Sequence, residues 1–325
     1  MTKAIQFHKT GAASVLRYED VQVPKPGRGE ALIQHTAIGL NYIDVYVRTG
    51  LYPSSGFPSG IGFEGAGVVL AVGPGVKVVK PGDHVAYGHS PLGAYAQERV
   101  MPTAQLVKIP KGVDDQTAAA IMLKGMTAQY LIRQTYRVKK GETVLFHAAA
   151  GGVGLIACQW MKSLGAHVIG TVGSDDKAKL AKRMGCKWVI NSRKEDFVKR
   201  VREITKGKGV PVVYDGVGKA TFMDSLDCLS PLGTMVSFGN ASGPPPALNP
   251  LVLAQKGSLF LTRPTLGTFI ATREGLESCA RDVFRMVTNG DVKIRIGQTY
   301  SLKDAAKAHR DLEGRKTTGS TILIP

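Results

Sequence analysis

The stretch TVLFHAAAGGVGLIACQWMKSLGAHVIGTVG, residues 143–173, decides the fold. TVLFHA is an apolar run of strand length. A glycine-rich turn follows directly. GGVGLIACQWMKSLG reads as a helix closed by Gly165, because glycine accepts the left-handed backbone that ends a helix. AHVIGTVG returns as a second strand. Residues 143–161 carry no Lys, Arg, Asp or Glu. Gly151, Gly152, Gly154 and a histidine interrupt them, so they fall short of the ~20 strongly apolar residues of a membrane span. Strand, turn and helix account for them, and no membrane partner is expected.

The rhythm continues outward. DDKAKLAKRMG and EDFVKRVREITKG read as helices, with KWVIN as the strand between them. VPVVYDGVG, GTMVSFGN and GSLFLTRP read as further strands, and TFMDSLDCLS as a helix. Such alternation demands parallel strands joined by crossover helices, an α/β doubly wound sheet. Residues 1–122 differ. Short runs such as ALIQHTAIGL, GVVLAVG and DHVAYG lie between Gly and Pro signals, the pattern of an irregular, largely antiparallel β domain. The reading is therefore 1–122 as the first part of a catalytic domain, 123–262 as the nucleotide domain, and 263–325 as a return to the first.

Composition bounds the function. The chain has 325 residues, 43% of them hydrophobic, as expected of globular domains. Its four cysteines, Cys158, Cys186, Cys228 and Cys279, are scattered without a CxxC pair. That excludes a disulfide frame and a zinc knuckle, and with an N-terminus lacking an apolar core it points to the cytoplasm. The formal charge of +17 suits anionic ligands. The densest basic run, 182–209, is interrupted by acids and has no aromatic ladder, so nucleic acid is at most a secondary partner.

The turn FHAAAGGVG (146–154) lies between a strand and its helix, where small residues let backbone N–H groups and the helix N-terminus meet a pyrophosphate. An NAD site usually ends its second strand with an acid that holds the ribose hydroxyls. Here HVIGTV ends in Gly173 and Ser174, with Lys177 following and Arg193 near the end of the third strand. Small residues and cations favour NADPH over NADH. Asp175 and Asp176 read as acids at the start of the next helix.

A β domain before a nucleotide domain, with GFEGAGVVLAVG (62–73) and GDHVAYG (82–88), resembles the medium-chain dehydrogenase/reductase superfamily. Its zinc enzymes hold a catalytic metal through Cys, His and Cys, positions that match Asn41, Phe63 and Lys124 here. An amide, a hydrocarbon and a cation cannot reproduce that ligand set. The stretch 88–100, where a structural zinc lobe would lie, has no cysteine. GETVLFHAAAGGVGLIACQWMK (141–162), NYIDVYVRTGLYP (41–53), YDGVG (214–218), VSFGN (236–240) and KGSLFLTRPTL (256–266) are similar to the zinc-independent NADPH:quinone oxidoreductase, or zeta-crystallin-like, family. The resemblance implies a GroES-like β domain plus a Rossmann domain, NADPH as cofactor, no zinc or other metal, and a homodimer. It places Asn41 and Thr127 beside the nicotinamide, and Gly151, Gly152 and Val153 at the pyrophosphate. Gly173, Ser174, Lys177 and Arg315 surround the 2′-phosphate, and Phe238 and Asn240 line the nicotinamide half. Ser192 stands where relatives often carry tyrosine, removing a stacking partner.

Glu64, alone among glycines and apolar residues, is then expected to be a buried carboxylate satisfied by a cation or by turn N–H groups. Without a Lewis acid, the fitting acceptor is one already electrophilic, a quinone or conjugated carbonyl. Tyr46 and Tyr52 are the candidates to orient its oxygen, with Asn41 as donor. The alternatives are an enone, alkenal or enoyl-thioester reductase, and, in another class, an RNA-binding or structural protein on the same fold.

Overall fold

Two runs inside or at the end of the strand-rich N-terminal stretch fold as helices. The structure, a computed structural model, describes residues 1–54, 56–89 and 91–325. Helix α1 (Tyr42–Thr49) follows Asn41, and helix α2 (Asp115–Tyr130) follows Asp114, whose carboxylate accepts from Thr117 N at 2.6 Å. The reading of 1–122 as an irregular, largely antiparallel β domain names neither helix, and α2 runs on past residue 122. Tyr, Ile and Val in α1 are β-prone residues, but Asn41 at the N-cap and Gly50 in the left-handed conformation (φ 84°) bound one short amphipathic helix.

The chain divides into two compact units. One comprises 1–126, 270–288 and 294–325. Its main sheet runs, in spatial order, Ile296–Ser301, Ser320–Ile324, Glu30–Leu40, Glu64–Val72, His84–Tyr87 and Val107–Lys108, with Glu98–Pro102 also on Glu30–Leu40. Its pairings are antiparallel except the first, and the C-terminal strand adds to the N-terminal sheet through Thr321 opposite Leu40. Phe7, Ile33, Ile38, Ile61, Tyr87 and Tyr95 anchor its core.

The other unit comprises 127–269 and 289–293. Its sheet is wholly parallel, in the order Cys186–Asn191, His167–Val172, Thr143–Phe146, Val210–Asp215, Leu229–Ser237, Phe260–Thr262. The order reverses direction beside Thr143–Phe146, the switch point of a doubly wound sheet. Helix α3 (Gly152–Ser163) leaves that central strand, and helix α4 (Asp175–Arg183) leaves its neighbour. Strand ends are fastened from beneath by buried His147, whose ring nitrogens lie 2.9 Å from Thr171 Oγ1 and 2.9 Å from Ser225 Oγ. Among the described residues, no helix is long and apolar enough to cross a membrane.

Candidate functional site

Glu64 opens its strand fully buried. Its Oε2 accepts from Asn41 Nδ2 and from Lys124 Nζ, each at 2.7 Å, and its Oε1 accepts from Leu123 N at 2.8 Å. The expected cation is present; the backbone donor is the Leu123 N–H of α2 rather than a turn N–H. The carboxylate fits only because residue 39 is glycine: a Cβ there would stand 2.1 Å from Glu64 Oε2 and 2.3 Å from the Ala119 carbonyl. The cluster thus joins three elements, the ends of two paired strands and α2.

Asn41 links it to a second buried group. Asn41 N donates to Asp44 Oδ2 at 2.9 Å, and Tyr95 OH donates to the same oxygen at 2.9 Å. Asp44 Oδ1 is buried with no partner among the described residues. Burial, against the pull of these donors, raises the carboxyl to about 7. Tyr95 OH also lies 3.2 Å from His309 Nε2, and His309 Nδ1 lies 3.4 Å from Arg48, which pairs with Glu313 at 2.7 and 2.9 Å. Burial and the Arg48 cation push His309 down to about 3, so it is neutral and accepts from Arg48. Tyr46 lies buried in α1, its ring 5.1 Å from that of Tyr52.

In the other unit the expected cofactor residues follow the carboxyl ends of neighbouring strands. Ala148 takes a left-handed conformation (φ 53°), and Gly151 N donates to its carbonyl at 2.9 Å. A Cβ on Gly154 would stand 2.5 Å from that same oxygen. Gly151 caps α3 without a side chain, and no acid occupies the first turn, which leaves the N–H groups of Gly152 and Val153 at an open, partly positive helix end. Gly173 closes the next strand. Ser174 caps α4, its Oγ accepting from Lys177 N at 3.4 Å. Asp175 is held by Lys194 Nζ at 2.6 Å and Asn191 Nδ2 at 2.7 Å, which keep its carboxyl below the usual range. A Cβ on Gly173 would lie 3.7 Å from Arg193 Nε. These residues fit a phosphorylated dinucleotide: bare turn, open helix end, cationic rim. Phe238 packs on Phe146, ring centroids 5.8 Å apart, and Asn240 follows it. Exposed Ser192 donates to the Val172 carbonyl at 3.2 Å. Thr127 is buried in α2, and Arg315, in the first unit, is exposed with a left-handed backbone (φ 57°) just after helix Ala305–Glu313.

Sequence reasoning missed the groups around the two buried carboxylates: Lys124, bonded to Glu64, appears in it only as a position unable to bind zinc, and Tyr95, bonded to Asp44, and His309 beside Tyr95 do not appear as site residues. Their one signal is chemical, charged or polar residues inside apolar runs. No group of three or more His, Cys, Asp or Glu able to hold a metal occurs among the described residues.

This is the two-unit architecture of a medium-chain dehydrogenase/reductase. Residues 27–111 match the family described as "Alcohol dehydrogenase GroES-like domain", and 152–282 the one described as "Zinc-binding dehydrogenase". The second description covers the nucleotide domain and does not restore the ligands missing at 41, 63 and 124. A quinone oxidoreductase of Pseudomonas aeruginosa is 53% identical over the whole of both chains. A 2-haloacrylate reductase of a Burkholderia species is 44% identical over 100% of this chain and 99% of its own. The crystal structure of an Escherichia coli quinone oxidoreductase complexed with NADPH superposes with a TM-score of 0.98 at 49% identity, covering 99% of this chain and 100% of that one. The chain belongs to the zinc-independent NADPH:quinone oxidoreductase family of the medium-chain dehydrogenases/reductases.

Proposed function

We propose that the protein is an NADPH-dependent quinone oxidoreductase that works without zinc. One observation carries this reading: Asn41 and Lys124, at two of the three positions where a zinc enzyme places its ligands, are both bonded to Glu64. Phe63, the third, is a hydrocarbon. Such a site suits an acceptor already reactive towards hydride. Bound NADPH supplies that hydride.

The chain's own residues bind and orient. Gly151, Gly152 and Val153 take the pyrophosphate on the open end of α3. Gly173, Ser174, Lys177 and Arg315 take the 2′-phosphate. Thr127, Phe238, Asn240 and Asn41 frame the nicotinamide. Tyr46, Tyr52 and Asn41 orient the acceptor oxygen. Glu64 holds the Asn41 side chain through Nδ2 and Asp44 holds its backbone N–H, so its geometry is set before the acceptor arrives. A homodimer in the cytoplasm completes the reading.

The 44% identity to a 2-haloacrylate reductase favours a second acceptor class, conjugated carbonyls, at the same site. Steady-state assays with 1,4-naphthoquinone, a short enone and an enoyl thioester separate the readings. Turnover of the quinone is expected; turnover of the thioester alone would overturn the assignment.

A further inference from the structure

Among the described residues, Lys124 Nζ has one hydrogen-bond partner, Glu64 Oε2. An ammonium carries three N–H donors. Two are therefore unspent on protein, on a side chain only 6% exposed. Burying a charge with unused donors is costly unless a ligand completes it. Glu64, 0% exposed, lies behind the ammonium, and its charge is shared with Asn41 Nδ2 and Leu123 N. The pair is thus lopsided: the carboxylate accepts from three donors, while the ammonium spends one of its three N–H groups among the described residues. The helix places Lys124 beside Leu123, whose own N–H anchors the same carboxylate, so two successive residues of α2 bond Glu64.

We propose that Lys124 is a catalytic residue, the electrophile and proton donor to the acceptor's carbonyl oxygen. The idea rests on the quinone reading and adds the group that reading lacks. As hydride reaches the quinone, the displaced electron pair collects on a carbonyl oxygen as a hydroquinone monoanion. The Lys124 N–H bond breaks and an O–H bond forms. The product is a neutral hydroquinone and a neutral amine, which regains its proton from water. Before transfer, the same ammonium polarises the carbonyl. Glu64 positions the ammonium, and Asn41 positions Glu64.

The test uses enzyme saturated with oxidised cofactor and two probes. 2-Hydroxy-1,4-naphthoquinone is an anion at neutral pH and imitates the charged product; 2-methoxy-1,4-naphthoquinone is its neutral counterpart. Affinity for each is measured by difference absorbance in the wild type, in Lys124→Gln, and in Lys124→Met combined with Glu64→Gln, which leaves no unpaired buried carboxylate. The anion should bind roughly tenfold or more weakly in both variants and the neutral probe within about threefold, the loss of a charge-assisted bond. NADPH affinity should be kept. An unchanged ratio of the two affinities, or equal loss of both probes, overturns the role of Lys124. Wild-type oxidation of NADPH by 1,4-naphthoquinone is followed in parallel; its absence would instead overturn the function itself.

Discussion

Buried histidines and one buried carboxyl give opposite responses to pH. His35 donates from Nδ1 to the Ala96 carbonyl at 2.7 Å and accepts at Nε2 from Tyr87 OH at 2.7 Å. That requires the neutral ring, and burial lowers it to about 3, as it does His309. A depressed base is stabilising above its unfolded value near 6.5 and loses that contribution as pH falls towards 3. Asp44, raised to about 7, has the opposite sign: its contribution is whole below about 4 and disappears as pH rises through 7. Burial lowers His147 as well, so the histidines together outweigh the single carboxyl and thermal stability should fall as pH drops below about 6. His35→Leu should lower stability overall, by about 1–3 kcal/mol for each orphaned partner, yet flatten the acid slope. An unaltered slope in thermal melts from pH 3 to 8 would refute this. At the same scale, Lys177→Ala with Arg315→Ala should weaken NADPH by roughly tenfold or more while leaving NADH nearly unaffected, since each charge-assisted bond to the 2′-phosphate is worth about 1.5–3 kcal/mol. Equal losses in fluorescence titrations with the two cofactors would show the pocket is misplaced. Glu64 was legible at this scale as a carboxylate needing partners. Lys124 was not, because the partner lies 60 positions away on a helix that sequence patterning does not reveal.

At the scale of elements, glycine positions make the sharpest tests. Gly154→Ala would drive a Cβ against the Ala148 carbonyl, lifting the turn away from the start of α3. Overpacking of this kind costs about 1–3 kcal/mol. Spent on the cradle, it should raise the NADPH dissociation constant about tenfold while the far-ultraviolet circular dichroism stays native. Unchanged affinity would show that the turn is only a strand-to-helix connection. The strands and crossover helices of residues 143–262 were readable because each element carries one period and ends on Gly or a charged turn. Helices α1 and α2 were not. YIDVYVRT is β-prone in composition, and α2 is apolar on nearly every side, with Ala118 to Met122, Met126 and Ala128 all buried, so no helical stripe stands out. Tertiary burial rather than local propensity holds α1, while the helix formers of the AAAIMLK run support α2 as well.

For the whole molecule, the parallel sheet ends in a strand with one paired side. Phe260–Thr262 bonds Leu229–Ser237, and Phe260 and Leu261 are exposed. The proposed homodimer would cover this apolar edge with a second copy, extending the sheet. Light scattering should give twice the mass of the chain, and Phe260→Glu should give the monomer; a wild-type monomer would refute the pairing. The charge of +17 suits an anionic cofactor, and specific nucleic-acid binding is not expected. Filter binding over a salt series should show no steep loss of affinity; a slope near 0.9 log units per phosphate contact on duplex DNA would show otherwise. Partner, mass and acceptor are properties of assembled surfaces, and a single chain's residue pattern does not encode them as legibly as it encodes a turn. The most direct measurement of the central claim is NADPH oxidation by 1,4-naphthoquinone in enzyme stripped by exhaustive chelation, with zinc quantified in the same sample. Full activity at negligible zinc is predicted. Activity that vanishes with the metal and returns when zinc is restored would contradict it.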